Sequence, residues 1–234
     1  MNILLVNPPP ENTILEQTSD RHKDFEFMEV ADLGSYPPLG LLYVATYLQE
    51  KTSGHQIQVI DCVGERLGHA ELAERMRCFQ PDVVGITSFT ISLIDVVRVA
   101  RQAKLMFPNC HTCMGGHHAI AFPYEAAQLN EFDSIVGEGE VAFTDLVSFL
   151  NDGRNIQSIH GVYTRAKIAT FASHKPHKDG RFLSQVMVPP AYIEDLDSLP
   201  TPDRRFIKHI RYRNPVGSGN NLATIITTRG CPYK

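Results

Sequence analysis

The sequence predicts an α/β protein with a doubly wound parallel sheet. Over the first 150 residues, short apolar runs rich in β-branched residues alternate with longer segments of helical periodicity. This alternation is typical of strands joined by helical crossovers, and crossovers produce a parallel sheet. The chain has 234 residues, which is enough to bury one full-sized core and to carry an additional segment.

Five strands are expected, because each of five short apolar runs is bounded by turn-forming or small residues. They cover residues 2–6, 56–61, 82–87, 110–114 and 134–136. Five strands with helical crossovers predict the flavodoxin-like (Rossmann-like) sheet, in which the strand order is 2-1-3-4-5. Ligands of such sheets bind over the carboxyl ends of the strands, so the loops after the strands are the candidate site.

Five helices are expected between and after these strands, at residues 38–49, 69–79, 91–106, 124–129 and 140–150. Pro38 suits a first helical turn, where its missing N–H needs no partner. Leu72, Ala73 and Met76 recur at the spacing of one helix face.

The character of the sequence changes beyond residue 153. Residues 161–165 and 170–172 predict a small hairpin, and two stretches rich in polar or proline residues, 173–181 and 188–203, read as a connector. Residues 222–228 (LATIITT) predict a new strand because they are rich in β-branched residues.

Composition excludes several classes of protein. The net charge of −4 gives no basic footprint for nucleic acid. No apolar run reaches the roughly 20 residues that a membrane span needs, and no basic segment precedes the apolar N-terminus, as a signal peptide would require. Five scattered cysteines do not suggest a disulfide framework, so we expect a reducing, cytoplasmic location.

Common ligands of this fold are excluded by the loop after the first strand. Neither the dinucleotide pattern G-x-G-x-x-G nor a P-loop is present, and Asn7 is followed by three prolines. Prolines have no N–H to offer, so this loop cannot hold a pyrophosphate on its backbone. A phospho-receiver would carry acidic residues where Asn7, Thr87 and Ser88 stand.

Small residues follow three of the predicted strands. They are Thr87 and Ser88, then Gly115 and Gly116, then Gly137, Glu138 and Gly139. Each loop alone fits a simpler interpretation, a turn or a helix start with acidic residues at its positive end. Together they favour a large, flat or extended ligand, because glycine permits close approach to the backbone and the hydroxyl groups can bond polar edges.

Six motifs give the sequence a specific resemblance. They are NPPP after the first strand, YPPLGLLYVATYL (36–48), ITS (86–88), MGGHHA (114–119), VGEGE (136–140) and TTRGCPYK (227–234). In this order and spacing the chain resembles the cobalamin-dependent radical SAM proteins, a group that includes the anaerobic magnesium-protoporphyrin monomethyl ester cyclase and many methyltransferases. The resemblance implies a cobalamin-binding domain at 1–152, a connector at 153–220 and the first strand of a truncated radical SAM barrel at 221–234.

The resemblance also implies how cobalamin lies across the strand ends. Thr87, Ser88 and Phe89 would line the nucleotide tail or the ring edge, with Gly115, Gly116 and His117 facing them from the next loop. Gly137, Glu138 and Gly139 would close the far side, and Asn7 and Pro8 would form the wall toward the reactive face.

Cys231 matches the first cysteine of the family motif C-x-x-x-C-x-x-C, whose three thiolates hold a [4Fe–4S] cluster while S-adenosylmethionine chelates the fourth iron. The second cysteine would follow Lys234, so we expect the chain as given to bind cobalamin without a complete cluster site and without catalytic residues of its own. The cluster, S-adenosylmethionine and a small-molecule substrate would belong to the full-length parent. An incidental free thiol is the alternative for Cys231.

Other candidate metal ligands have plainer interpretations. Asp20 and His22 begin the pattern D-x-H-x-x-G, but Phe25 stands where glycine is required. His117 and His118 are further candidates for reaching the cobalt, although a polar loop pair is the simpler interpretation and the resemblance implies no histidine below the metal. All four remaining cysteines read as small buried hydrophobic residues: Cys62, Cys78, Cys110 and Cys113.

Three functions stay open on the sequence. The first is the cobalamin-binding part of a radical SAM enzyme, with methyl transfer and radical ring formation both possible in the parent. The second is a stand-alone corrinoid-binding or light-sensing module without catalysis. The third is a flavodoxin-like fold that serves as an interaction surface.

Overall fold

The computed structural model describes residues 1–12, 36–171, 192–212 and 222–230. The strands in these residues are β1 (Asn2–Asn7), β2 (Gln56–Asp61), β3 (Val83–Thr87), β4 (His111–Gly115), β5 (Ser134–Val136) and β6 (Val162–Tyr163). The α-helices are α1 (Leu39–Lys51), α2 (Cys62–Glu65), α3 (His69–Phe79), α4 (Leu93–Met106), α5 (His117–Ala121), α6 (Pro123–Gln128), α7 (Gly139–Asn151) and α8 (Arg165–Phe171). Short 3-10 helices lie at Thr90–Ser92, Ile156–Ser158, Leu196–Ser198 and Arg204–Ile207.

The strands form one sheet in the order β2-β1-β3-β4-β5-β6. The first five are parallel, and β6 pairs antiparallel with β5. The doubly wound α/β class is therefore confirmed, and so is the order 2-1-3-4-5. The count of five strands is wrong by one edge strand. A strand of two residues has too little periodicity to be recognised in the sequence.

Both faces of the sheet are covered by helices. In β1, Leu4 and Val6 belong to the core on the side of α3 and α4, whereas Ile3 and Leu5 belong to the core under α1 and α7. Successive residues of a strand point to opposite faces. Because both faces are buried, the four inner residues of β1 are all apolar rather than alternating, which explains the continuous run in the sequence.

The predicted helices are all present, with α3 at its predicted bounds. Three short helices were not predicted, namely α2, α5 and α8. Of these, α2 has four residues and α5 has five, which is too few for a hydrophobic period of 3.6 to show. The predicted hairpin at 161–172 is wrong, because Val162 and Tyr163 pair with β5 and residues 165–171 form α8.

The strand predicted at 222–228 is also wrong, since the structure has no regular secondary structure over residues 222–229. A strand needs a neighbour to satisfy its backbone groups, and none of the described strands lies beside this segment. Its β-branched residues are not used in a core, and Ile225 is 80% exposed. The division into domains at residues 152 and 220 stays a prediction.

The cysteines in the described residues are not arranged for a metal. Cys110 and Cys113 belong to the cores on opposite faces of the sheet, so their thiols cannot share a ligand. Burial raises the pKa of both thiols to about 12. Cys62 is buried as predicted, but Cys78 is exposed on α3, where the prediction of burial is wrong. The described residues contain no helix that is both long and apolar enough to cross a bilayer.

The buried histidine at the start of β4 gives a pH-dependent stability. Burial lowers the pKa of His111 to about 4, a shift that the charge of Asp133 opposes and that of Lys104 reinforces. The folded protein therefore keeps His111 neutral, whereas the unfolded chain takes up a proton below about pH 6.5. Stability should be lost as the pH falls from about 6.5 toward 4, by up to about 3 kcal/mol from this group.

His111→Gln should remove this part of the pH dependence. Urea denaturation at about pH 7 and about pH 4.5 would measure the free energy of unfolding of both proteins. We expect the variant to lose about 2 to 3 kcal/mol less than the wild type between these conditions. An equal loss in both proteins would contradict the prediction.

Candidate functional site

The carboxyl ends of the parallel strands meet at one edge of the sheet. Asn7 of β1 pairs in register with Asp61 of β2, and Thr87 of β3 pairs with Gly115 of β4. The loops singled out in the sequence therefore lie side by side, in the order of their strands. The direction of winding reverses at β1, which lies between β2 and β3, and this is where ligands of open α/β sheets bind.

Ser88 joins the loops after β3 and β4. Its Oγ donates a hydrogen bond to the carbonyl of Gly115 at 2.6 Å, and its backbone N–H donates to the same carbonyl at 2.8 Å. The N–H of His118 in turn donates to the carbonyl of Ser88 at 3.1 Å. Ser88 is fully buried, so its hydroxyl proton bonds the protein itself and is not free for a ligand.

Gly116 is required by this junction. Its φ is +91°, and a Cβ would lie 2.6 Å from the backbone nitrogen of Ser88 and 2.7 Å from its carbonyl oxygen. Gly139 is also constrained from within, because a Cβ there would lie 2.7 Å from Val44 Cγ2. Contacts within the protein are therefore enough to explain both glycines, without a ligand that approaches the backbone there.

Gly137 is different from the other glycines of this edge. A Cβ at Gly137 would meet no atom within 4 Å, so the absence of a side chain leaves open space there. Glu138 follows it, and one of its carboxylate oxygens accepts a hydrogen bond from the backbone of Ile193 at 2.8 Å. The loop after β5 thus combines an open position with an acidic residue that is bonded to the chain beyond the sheet.

Phe89 and His117 form an exposed aromatic surface at the same edge. Their rings are stacked, with centroids 4.8 Å apart and planes inclined by 15°. Phe89 is nevertheless 47% exposed, although phenylalanine is one of the residue types most often buried. The pair offers a flat apolar surface to a ligand.

His118 is buried behind this pair. Its Nδ1 lies 3.2 Å from the hydroxyl of Thr90, and its Nε2 has no hydrogen-bond partner among the described residues. Burial lowers the pKa of His118, and the charge of Glu125 partly opposes this shift. The ring lies 5.3 Å from that of Phe122. The side chain is therefore a largely neutral imidazole with one unused nitrogen.

At the other end of the edge, Asp61 orients Asn7. The carboxylate accepts hydrogen bonds from Asn7 Nδ2 at 2.7 Å and from the hydroxyl of Tyr212 at 2.8 Å. Burial raises the pKa of Asp61, although these hydrogen bonds and one from Gly64 oppose the shift. Pro8, the next residue, is buried.

Sequence reasoning missed Asp61, the partner of Asn7, and Tyr212, the second donor to Asp61. A polar residue that ends an apolar strand is a signal that could have identified Asp61. Tyr212 carried no signal, since 151 positions separate it from Asp61. Two predicted or considered metal ligands, Cys231 and His22, lie outside the described residues.

Gly116→Ala should destabilise the fold. The alanine would need a positive φ and would place its Cβ against the backbone of Ser88, so we expect a loss of more than about 2 kcal/mol. Gly40→Ala is the control, because Gly40 lies in α1 with open space around it, and there alanine should stabilise by up to about 1 kcal/mol. Chemical denaturation measures both. Equal effects of the two substitutions would contradict the assigned role of Gly116.

Comparison with known proteins extends these observations. Residues 31–147 match the B12 binding domain family. The whole chain is 31% identical to an uncharacterized methyltransferase of Pyrococcus horikoshii, of which it covers 44%. Over 86% of its length it is 29% identical to the anaerobic magnesium-protoporphyrin IX monomethyl ester cyclase of Rubrivivax gelatinosus, of which it covers 34%. The chain thus spans less than half the length of these relatives.

A solved structure shows the same fold. The radical S-adenosylmethionine methyltransferase TsrM from Kitasatospora setae superposes with a TM-score of 0.52 over 69% of this chain and 28% of that one, at 17% identity. These matches confirm the resemblance that the sequence motifs indicated. The family model covers half of the chain and includes the loops after β2, β3, β4 and β5, and the chain belongs to the B12-binding domain family.

Proposed function

We propose that this chain binds cobalamin at the carboxyl edge of its sheet and forms the cobalamin-binding part of a radical SAM enzyme. The observation that carries the proposal is the B12 binding domain match over residues 31–147. The parallel topology supports it, because the matched motifs follow the carboxyl ends of parallel strands, and these ends lie at one edge of the sheet. Ligands of this kind of sheet bind at that edge.

The residues at the edge fit a large, flat ring. The stacked pair of Phe89 and His117 offers exposed aromatic surface, and Gly137 leaves open space beside it in the loop after the neighbouring strand. His118 Nε2 is a buried nitrogen without a described partner. The edge therefore has both apolar contact area and an unused polar atom, which suits a ligand with an apolar face and polar substituents.

The proposed cobalamin-binding residues divide into two groups. Phe89, His117 and Gly137 present surface or space that a ligand can contact. A second group shapes the loops from within: Asn7, Pro8, Thr87, Ser88, Gly115, Gly116, Glu138 and Gly139. The first group would hold the ring, and the second would keep the loops at the spacing that the ring requires.

Cobalamin, when bound, supplies a cobalt ion that can carry a methyl group or take part in radical chemistry. In the full-length parent, Cys231 would be the first of three thiolates for a [4Fe–4S] cluster with S-adenosylmethionine on its fourth iron. A methyltransferase and a cyclase both occur among the relatives, so the parent would carry out methyl transfer or ring formation on a small molecule. The division at residues 152 and 220 would separate the cobalamin-binding domain, the connector and the start of the radical SAM domain.

The direct test is reconstitution with hydroxocobalamin. The protein is incubated with the corrinoid, desalted, and its visible spectrum is recorded. We expect corrin absorbance to remain with the protein in stoichiometric amount. A protein fraction without corrin absorbance would contradict the proposal and would favour an interaction surface in its place.

Gly137→Leu should block binding without disturbing the fold. A larger side chain at this position meets no protein atom near its Cβ, but it would occupy the space that the ligand needs. We expect the Kd for hydroxocobalamin to rise by at least about tenfold, a cost of about 1.4 kcal/mol. The melting temperature should stay close to that of the wild type.

Gly40→Leu is the matched control, because its Cβ also meets open space but lies on α1. It should bind hydroxocobalamin as the wild type does. An unchanged affinity in Gly137→Leu would show that the ligand does not use the loop after β5.

A further inference from the structure

Three of the sequence motifs meet at one side chain. The guanidinium of Arg229, from the motif TTRGC, forms an ion pair with the carboxylate of Glu140, from the motif VGEGE. The same guanidinium lies over the ring of Tyr43, from the motif YPPLGLLYV, with its Cζ 5.0 Å from the ring centroid. These residues are far apart in the sequence, and the fold brings them together beside the loop after β5.

The ion pair is largely withdrawn from water. The side chain of Glu140 is 4% exposed and that of Arg229 is 21% exposed. Burial would lower the pKa of Arg229, but the hydrogen bond and the charge of Glu140 outweigh it, so the pKa is raised and the guanidinium stays charged. Removing one partner of such a pair leaves an unpaired charge in a poorly solvated place, which is costly. The contact therefore resists opening.

Among the described residues, two further contacts hold the segment that carries Arg229. Leu222 is packed against the core under α1 and α7, and Arg204 donates a hydrogen bond to the carbonyl of Thr224 at 2.6 Å. Residues 225–228 are exposed and have no regular structure. Between residues 225 and 230, Arg229 is thus the residue whose side chain is seen to join this segment to the described part of the sheet domain.

An arginine suits this role better than a lysine would. Its planar guanidinium can pair with a carboxylate at its edge while an aromatic ring lies against its face. A lysine ammonium could keep the charge, but it has no plane to place over Tyr43. The contact thus requires the shape of arginine as well as its charge.

We propose that Arg229 is a positioning residue that docks the segment 222–230 onto the start of α7, which directly follows the loop after β5. Glu140 directly follows Gly139, so the dock lies next to the edge to which we assign cobalamin. Arg229 precedes Cys231 by two positions in the sequence, and the dock would therefore set where a cluster-binding segment begins relative to the cobalamin edge. This last consequence rests on the proposed function, whereas the docking itself does not.

Hydrogen exchange without cobalamin tests the docking. In Arg229→Gln we expect amide exchange in residues 222–230 to be at least about tenfold faster than in the wild type, with residues 83–115 unchanged. The double variant Glu140→Gln/Arg229→Gln should give the same local increase, and it decides the matter if the single variant does not fold. Arg205→Gln is the control, because Arg205 forms an exposed pair with Asp203 and should leave 222–230 unchanged.

Hydroxocobalamin provides the second comparison. We expect hydroxocobalamin to slow amide exchange in residues 137–140 of both the wild type and Arg229→Gln. In residues 222–230 it should slow exchange in the wild type alone. Arg229→Lys should fall between the wild type and Arg229→Gln.

The outcomes distinguish the two proposals. Wild-type exchange in residues 222–230 of both Arg229→Gln and the double variant would overturn the docking role. Faster exchange throughout the double variant would also overturn it, since it would indicate a general loss of stability rather than local undocking. If hydroxocobalamin changes exchange nowhere in the wild type, cobalamin binding fails as the function, and the comparison without cobalamin still decides the role of Arg229.

Discussion

The junction between the loops after β3 and β4 is the constraint on which the carboxyl edge depends. The carbonyl of Gly115 accepts two hydrogen bonds from Ser88, and the positive φ of Gly116 lets the chain pass against the Ser88 backbone. With these loops joined, Phe89 and His117 stack and remain exposed. The sequence motifs ITS and MGGHHA are therefore parts of one local structure. Their primary requirement is intramolecular, and the exposed aromatic surface of Phe89 and His117 is its result.

Local pattern was sufficient for the order of the elements. The apolar runs and the helical period of α3 identified the five parallel strands and the longer helices, because these signals lie within a few consecutive residues. The elements that escaped were those too short to show a period, namely β6, α2, α5 and the seven-residue α8. The strand expected at 222–228 failed for another reason. Its composition fits a strand, but a strand also needs a neighbour, and composition carries no information about neighbours.

The place of the candidate site could be predicted better than the role of each of its residues. Parallel topology put the small-residue loops at one edge, and the structure has them there. The reason for each glycine could not be read from the sequence, because sequence does not report the surroundings of a residue. Gly116 is crowded by the backbone of Ser88, whereas Gly137 has open space around it. The partners of Asn7 and Arg229 are distant in the sequence, and such contacts leave no local trace.

The carboxylate of Asp61 has one consequence for the architecture. One oxygen accepts a hydrogen bond from Asn7 at the end of β1, and the other accepts one from Tyr212, which lies within the predicted connector. A displacement of the connector would withdraw the Tyr212 donor from the buried carboxyl group of Asp61 and leave Asn7 as its side-chain donor. The end of β1 and the connector are therefore coupled through the side chain of Asp61. Remodelling either one alters the electrostatics of the other, although no backbone contact between them is needed.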